Sequence, residues 1–171
     1  MLTKMLGPTA GLTAGLAATV AVFAGLAAGG AQARDVLLTA AIGNEVVQLV
    51  ATAPKVTQVL VNDTVVYEDR ESASLAFVNA YNAQGRWLVL LQQNTDGGCA
   101  ARYRVLDLSG PKPSVSLPFG TCSAAPEIAM KDRALTVSMP VTDGKSKDGK
   151  GKDDKGTAAW TYQDGRLTRL R

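Results

Sequence analysis

Val56-Thr57-Gln58-Val59-Leu60-Val61-Asn62-Asp63-Thr64-Val65-Val66-Tyr67-Glu68 is the stretch whose reading decides the fold. Two runs rich in β-branched side chains flank Asn62-Asp63, residues that tolerate the positive backbone angles of a tight turn, so the stretch predicts an antiparallel hairpin. Asn62-Asp63-Thr64 also matches the N-glycosylation acceptor pattern, but the turn explains those residues without a glycan.

Further hairpin signals follow towards the C-terminus. Leu75 to Tyr81 and Trp87 to Gln93 flank the turn candidate Asn82-Ala83-Gln84-Gly85. The second run is apolar on both faces through Trp87, Leu88, Val89, Leu90 and Leu91, which predicts a strand in the middle of a sheet, buried on both sides. Leu75 and Val78 are also spaced for a helix, so a short helix over Glu71 to Asn82 is the alternative there. Ala101 to Leu108 puts Tyr103 and Val105 on one face and Arg102 and Arg104 on the other. Ser114 to Phe119 alternates Val115, Leu117 and Phe119 with serines. Pro111, Pro113 and Pro118 make it an edge or a strand end, because proline cannot donate a ladder hydrogen bond. Leu135, Val137 and Met139 alternate with Thr136 and Ser138. Trp160 and Tyr162 share a face of a strand that turns at Asp164-Gly165 into Arg166 to Leu170. Some ten short strands at this spacing predict a mainly-β fold with little helix: an antiparallel meander, closed as a small barrel or folded as a sandwich.

Upstream of the strands the chain changes character. Lys4 is the only charged residue before Arg34, and Met5 to Ala28 is apolar, rich in Ala, Leu, Gly and Val. Ala31 and Ala33 are small residues at the two positions a signal peptidase reads, so residues 1–33 read as a secretory signal cleaved between Ala33 and Arg34. The competing reading is an uncleaved anchor helix, since the run approaches membrane-spanning length. Gly7, Pro8, Gly11, Gly15 and Gly25 weaken it as a helix. No cysteine lies near the cleavage site for lipid attachment, and no paired arginines mark export of a folded protein. Residues 34–171 then form one domain, of a length that buries roughly two-thirds of its unfolded surface. Loss of Lys4 takes the formal net charge from +3 to +2. So mild a balance offers no field for nucleic acid or for an anionic membrane.

Cys99 and Cys122 are the only cysteines and stand 23 positions apart. In an oxidising compartment they read as one structural disulfide, worth about 3 kcal/mol by loop closure. Two buried thiols, a redox pair or half of a metal site are the alternatives. A redox pair usually wants the C-x-x-C spacing, which is absent, and zinc wants further Cys or His ligands.

The chain contains no histidine. A Ser-His-Asp triad, a Cys-His pair and a His-ligated metal are therefore excluded. No G-x-S-x-G motif occurs after residue 33. A glycosidase-type carboxylate pair stays open, with Glu45, Glu68, Glu71, Asp96 and Asp107 as candidates, although such acids are usually solvated surface groups. Thr142 to Gly156, TDGKSKDGKGKDDKG, has no apolar side chain and reads as a flexible loop at 142–156. Its Gly144-Lys145-Ser146 mimics the end of a phosphate loop but lacks the glycine required where Met139 stands. Its aspartates lack the spacing of a calcium loop. Docking to a charged partner is a third reading, weakened by its mixed charges.

Gly97-Gly98-Cys99-Ala100-Ala101-Arg102-Tyr103-Arg104-Val105-Leu106-Asp107-Leu108-Ser109, followed by Phe119-Gly120-Thr121-Cys122-Ser123, resembles the two-cysteine pattern of small exported proteobacterial proteins. The resemblance implies a periplasmic setting and, since that family carries no assigned activity, no catalytic residues. The charged stretch after Thr142 is particular to this chain.

Three functions fit these readings. The first is a periplasmic, non-catalytic binding domain without cofactor or metal, directed at a protein or an envelope component. Arg102, Tyr103 and Arg104, beside the disulfide turn, are its expected interaction patch, because Arg and Tyr are enriched at interface hot spots. The second is an inhibitor or immunity-type protein acting on an exported enzyme. The third is a histidine-free hydrolase using paired carboxylates.

Overall fold

The computed structural model describes residues 34–141 and 156–170. The expected signal and its cleavage point at Ala33 lie outside the described residues, as does the expected loop at 142–156 apart from Gly156. At the borders of that loop, the Val141 amide donates to the Gly156 carbonyl at 3.0 Å.

Among the described residues every regular element is a strand. The first sheet contains β1 (Asp35–Ile42), β2 (Glu45–Ala53), β3 (Val56–Val61) and β4 (Thr64–Asp69), hydrogen-bonded in that order. The second holds β5 (Ser74–Ala83), β6 (Arg86–Asn94), β7 (Ala101–Asp107) and β8 (Ser114–Val115), with β9 (Phe119–Cys122) also paired to β7. The third holds β10 (Glu127–Lys131), β11 (Ala134–Pro140), β12 (Thr157–Gln163) and β13 (Arg166–Leu170). All ladders are antiparallel.

The hairpins form where the turn chemistry places them. Asn62 and Asp63 both adopt positive φ, at 47° and 62°, and join β3 to β4. Asp164 and Gly165 do the same between β12 and β13, at 49° and 79°. These are the angles a two-residue turn needs to match the twist of its strands.

The middle sheet lies between the other two. Val89 and Leu91 of β6 pack with Val47, Leu49, Val59 and Val61 of the first sheet. Leu88 and Leu90, on the opposite face of the same strand, pack with Leu135, Val137, Met139 and Tyr162 of the third. Alternation along β6 therefore feeds two cores, and all four side chains are buried because each face has its own covering sheet. Full burial of one such side chain is worth about 2 kcal/mol. The result is a sandwich of three layers, and no sheet closes on itself as a barrel.

Several segments depart from the sequence reading. The helix alternative over Glu71 to Asn82 is replaced by β5, which pairs with β6 along its length. Ser114 to Phe119 is not one strand: β8 stops after Val115, Leu117 is exposed, and β9 begins at Phe119. Pro118 cannot extend the ladder, and Gly120 (φ 129°) and Cys122 (φ 69°) turn the backbone against β7. A Cβ at Gly120 would stand 3.4 Å from both Met139 and Tyr103. The strands β1, β2 and β10 lie outside the runs singled out from the sequence, although Gly43-Asn44 between β1 and β2 is a hairpin-forming pair. The turn between β1 and β2 depends on Gly43 (φ 62°), where a Cβ would come within 2.5 Å of the Trp87 indole. That close approach brings β6 down on the first sheet.

Candidate functional site

Cys99 and Cys122 form the disulfide, with Cα atoms 4.6 Å apart. It joins the turn before β7 to the end of β9, so it staples the middle sheet to itself. A formed disulfide fits an oxidising setting outside the cytoplasm.

Arg102, Tyr103 and Arg104 do not form a common surface. Tyr103 is fully buried against the third sheet and donates its hydroxyl to the Ser123 carbonyl at 3.1 Å. Burial raises its pKa. The expectation of an exposed tyrosine fails because β7, like β6, is covered on both faces. Arg104 turns towards the first sheet, with its guanidinium 4.7 Å from the centre of the Tyr67 ring. It donates to Gln93 Oε1 at 2.9 Å and to the Ser116 carbonyl at 2.8 Å. Arg102 alone of the three is exposed.

Arg104 belongs to a closed polar network between the first and middle sheets. Gln93 Nε2 donates to Asp69 Oδ1 at 3.1 Å and to the Tyr67 hydroxyl at 3.4 Å. Asp69 also accepts from the amides of Glu71 and Ser72 and from the Ser72 hydroxyl. Asp69, Ser72 and Gln93 are all buried, and no buried side-chain polar atom among the described residues lacks a partner. Burial, ahead of the neighbouring charges, raises the Tyr67 pKa. The buried polar groups of the network are satisfied internally.

The five candidate acids are not brought together. Glu45 accepts from Asn62, Glu68 from Gln58 and Arg70, and Asp96 pairs with Lys55 at the surface. Glu71 lies just after β4. Of the five, Asp107 lines a cleft at the end where β7 leaves the middle sheet and the β12–β13 turn of the third sheet stands opposite. The cleft there has a volume of about 560 Å³.

Its charges are interlocked. Asp107 accepts from the Ser109 amide at 2.8 Å, from the Tyr162 hydroxyl at 3.1 Å and from Arg86 at 3.3 Å. Arg86, which opens β6, is 18% exposed and uses its other terminal nitrogen on Asp164. Asp164 also holds Arg133 at 3.4 Å. Burial and then the Asp107 carboxylate push the Tyr162 pKa up to about 12, so its hydroxyl stays protonated and remains a donor. Lys112 lies on the rim, exposed, with no acid paired to it among the described residues.

Sequence reasoning singled out Asp107 but missed Arg86, Arg133, Asp164 and Tyr162 as its companions. The Asp164-Gly165 turn was read for its backbone geometry alone, and nothing local marks its carboxylate as a bridge between two arginines. Among the described residues no group of three His, Cys, Asp or Glu side chains is placed to hold a metal ion. Nor is any described helix long and apolar enough to cross a membrane. Comparison with known proteins finds no matching family model, no similar curated protein and no similar solved structure.

Proposed function

We propose that the protein is an exported, non-catalytic binding domain of the periplasm that engages a protein or an envelope component through the cleft between its middle and third sheets. The observation that carries this reading is the state of the cleft's acids. Asp107 and Asp164 are both bound to Arg86 and carry further donors, so neither is placed to act as a general base or a nucleophile. A hydrolase with paired carboxylates draws no support, because Glu45, Glu68, Glu71 and Asp96 do not line the cleft. A concave site whose acids are held by fixed polar groups suits recognition.

The disulfide supports the exported setting, as does the resemblance of the segment from Gly97 to Ser123. The start of β1 at Asp35, next to the expected cleavage point, fits removal of residues 1–33. Mass spectrometry of the exported protein tests that part, and an N-terminus other than Arg34 would refute it. The binding reading is tested with a Ser109→Trp variant, which places a bulky side chain at the cleft wall without removing the Ser109 amide bond to Asp107. Wild type and variant are compared by interferometry against peptidoglycan fragments, envelope saccharides and solubilised envelope proteins. Selective loss of a wild-type ligand in the variant is expected; equal binding by both would place recognition elsewhere.

A further inference from the structure

We propose, building on the cleft as binding site, that its ligand presents a phosphate monoester, seated between Lys112 and the Arg86–Arg133 pair, and that Asp164 is a tethered stand-in for that anion. The cleft holds three cations, Arg86, Lys112 and Arg133, against two acids, Asp107 and Asp164. Asp107 is satisfied from within the fold by an amide, a hydroxyl and a guanidinium. It sets the orientation of Arg86 and has little left to offer a ligand.

Asp164, though it shares Arg86, differs in setting and exposure. Its side chain is 59% exposed, it sits on a turn, and one of its oxygens bridges Arg86 and Arg133. Two guanidiniums converging on one exposed carboxylate oxygen make an anion site that the chain fills with a side chain from a surface turn, and the Arg133 arm, exposed on both sides, contributes little. An incoming anion with more oxygens can share or take over those donors. Lys112, on a separate loop, supplies a third cation to the cleft lining, and its position between Pro111 and Pro113 restricts the backbone that carries it. The amides of Gly110 and Lys112 donate to no described residue. Donors carried by three separate elements around one cleft suit a tetrahedral group with three peripheral oxygens better than a planar carboxylate, which one bidentate arginine satisfies. The volume of about 560 Å³ leaves space beside the phosphate for a group the size of a sugar.

Two substitutions of opposite expected sign test this. Asp164→Asn keeps a residue that favours the positive φ of the turn but removes the competing charge. It should tighten phosphate binding about threefold, the scale of one exposed ion pair. Lys112→Ala should weaken it about tenfold, the scale of one charged hydrogen bond. Isothermal titration of the intact domain uses glucose 1-phosphate, inorganic phosphate, citrate and glucose as probes. The organic phosphate is expected to bind best, at least about fivefold tighter than inorganic phosphate, which would point to a phosphorylated envelope saccharide over free phosphate. Preference for inorganic phosphate would refute the sugar-sized occupant, and preference for citrate would refute the phosphate. Weakening by both substitutions would show Asp164 to be a ligand partner and overturn the stand-in. Absence of binding by either phosphate overturns the inference outright. Loss of binding to envelope ligands by Ser109→Trp, combined with phosphate binding that ignores Lys112 and Asp164, would sink this inference while leaving the cleft reading intact.

Discussion

The two faces of the middle sheet carry matched sets of side chains used in opposite ways. Towards the first sheet, Tyr67, Asp69 and Arg104 are joined through Gln93 into a sealed network. Towards the third sheet, Tyr162, Asp107 and Arg86 form a similar set, but the chain continues it outward to Asp164 and Arg133 at the surface. The difference lies in what covers them. Asp69 is sealed by the turn that follows β4, whose amides and Ser72 hydroxyl fill its remaining lone pairs. Asp107 ends its strand beside a loop with two prolines that stays clear of the β12–β13 turn and leaves a cleft between them. The same residue types build a structural tie on one side and a candidate recognition site on the other, so residue type alone does not identify a site.

The contrast can be broken by substitution, and the sealed side should respond most. Asp69→Ala removes the acceptor for four donors in a buried setting and should cost about 4 kcal/mol, measured by urea unfolding. A loss below about 1 kcal/mol would show that the network is solvated and that the two sides are alike. Cys99→Ala calibrates this scale from outside both clusters. It should lower stability by about 3 kcal/mol through loop closure, and unchanged melting would overturn the structural role of the disulfide.

Tyr162→Phe should cost about 1 kcal/mol, the worth of one hydrogen bond, since Asp107 keeps the Ser109 amide and Arg86 as donors. It also has a pH signature. The folded Tyr162 pKa, raised to about 12, exceeds the unfolded value near 10, so the folded state holds its proton longer. The stability linked to that proton is fully present below about pH 10 and is lost as pH rises from there through about 12. Alkaline melts should show a smaller decline over this window in Tyr162→Phe than in wild type; identical declines would mean that Tyr162 does not carry the linkage. Smallest of all, Arg133→Ala should change stability by less than about 0.5 kcal/mol, because its pairing with Asp164 is exposed. A larger cost would place the outer half of the cleft cluster in the folding core rather than at a binding surface.

Much of the fold was legible where neighbouring residues decide the geometry. Asn62-Asp63 and Asp164-Gly165 mark their turns because few other residues accept positive φ, and Leu88 to Leu91 announce a doubly buried strand. Less was legible where a segment's role depends on a distant one. The alternation in Ser114 to Phe119 suggested one strand, yet Pro118 and the close packing of Gly120 under Met139 and Tyr103 divide it. The Arg102–Arg104 stretch shows the same limit. Its alternation was readable, but not that a sheet would cover each face, burying Tyr103 and stacking Arg104 on Tyr67.

By itself the sequence determined the strand periods, the principal turns, the cysteine pair and the exclusion of every chemistry that needs histidine. Those depend on local backbone preference and on inventory, which are complete in the chain as written. The tertiary structure alone decided that two sandwich interfaces share one middle sheet, and that Arg86 meets Asp164 across 78 positions and Asp107 across 21. Such meetings follow from which sheet faces which once the apolar faces are buried. Burial acts on area without regard to separation along the chain, so no local pattern records them.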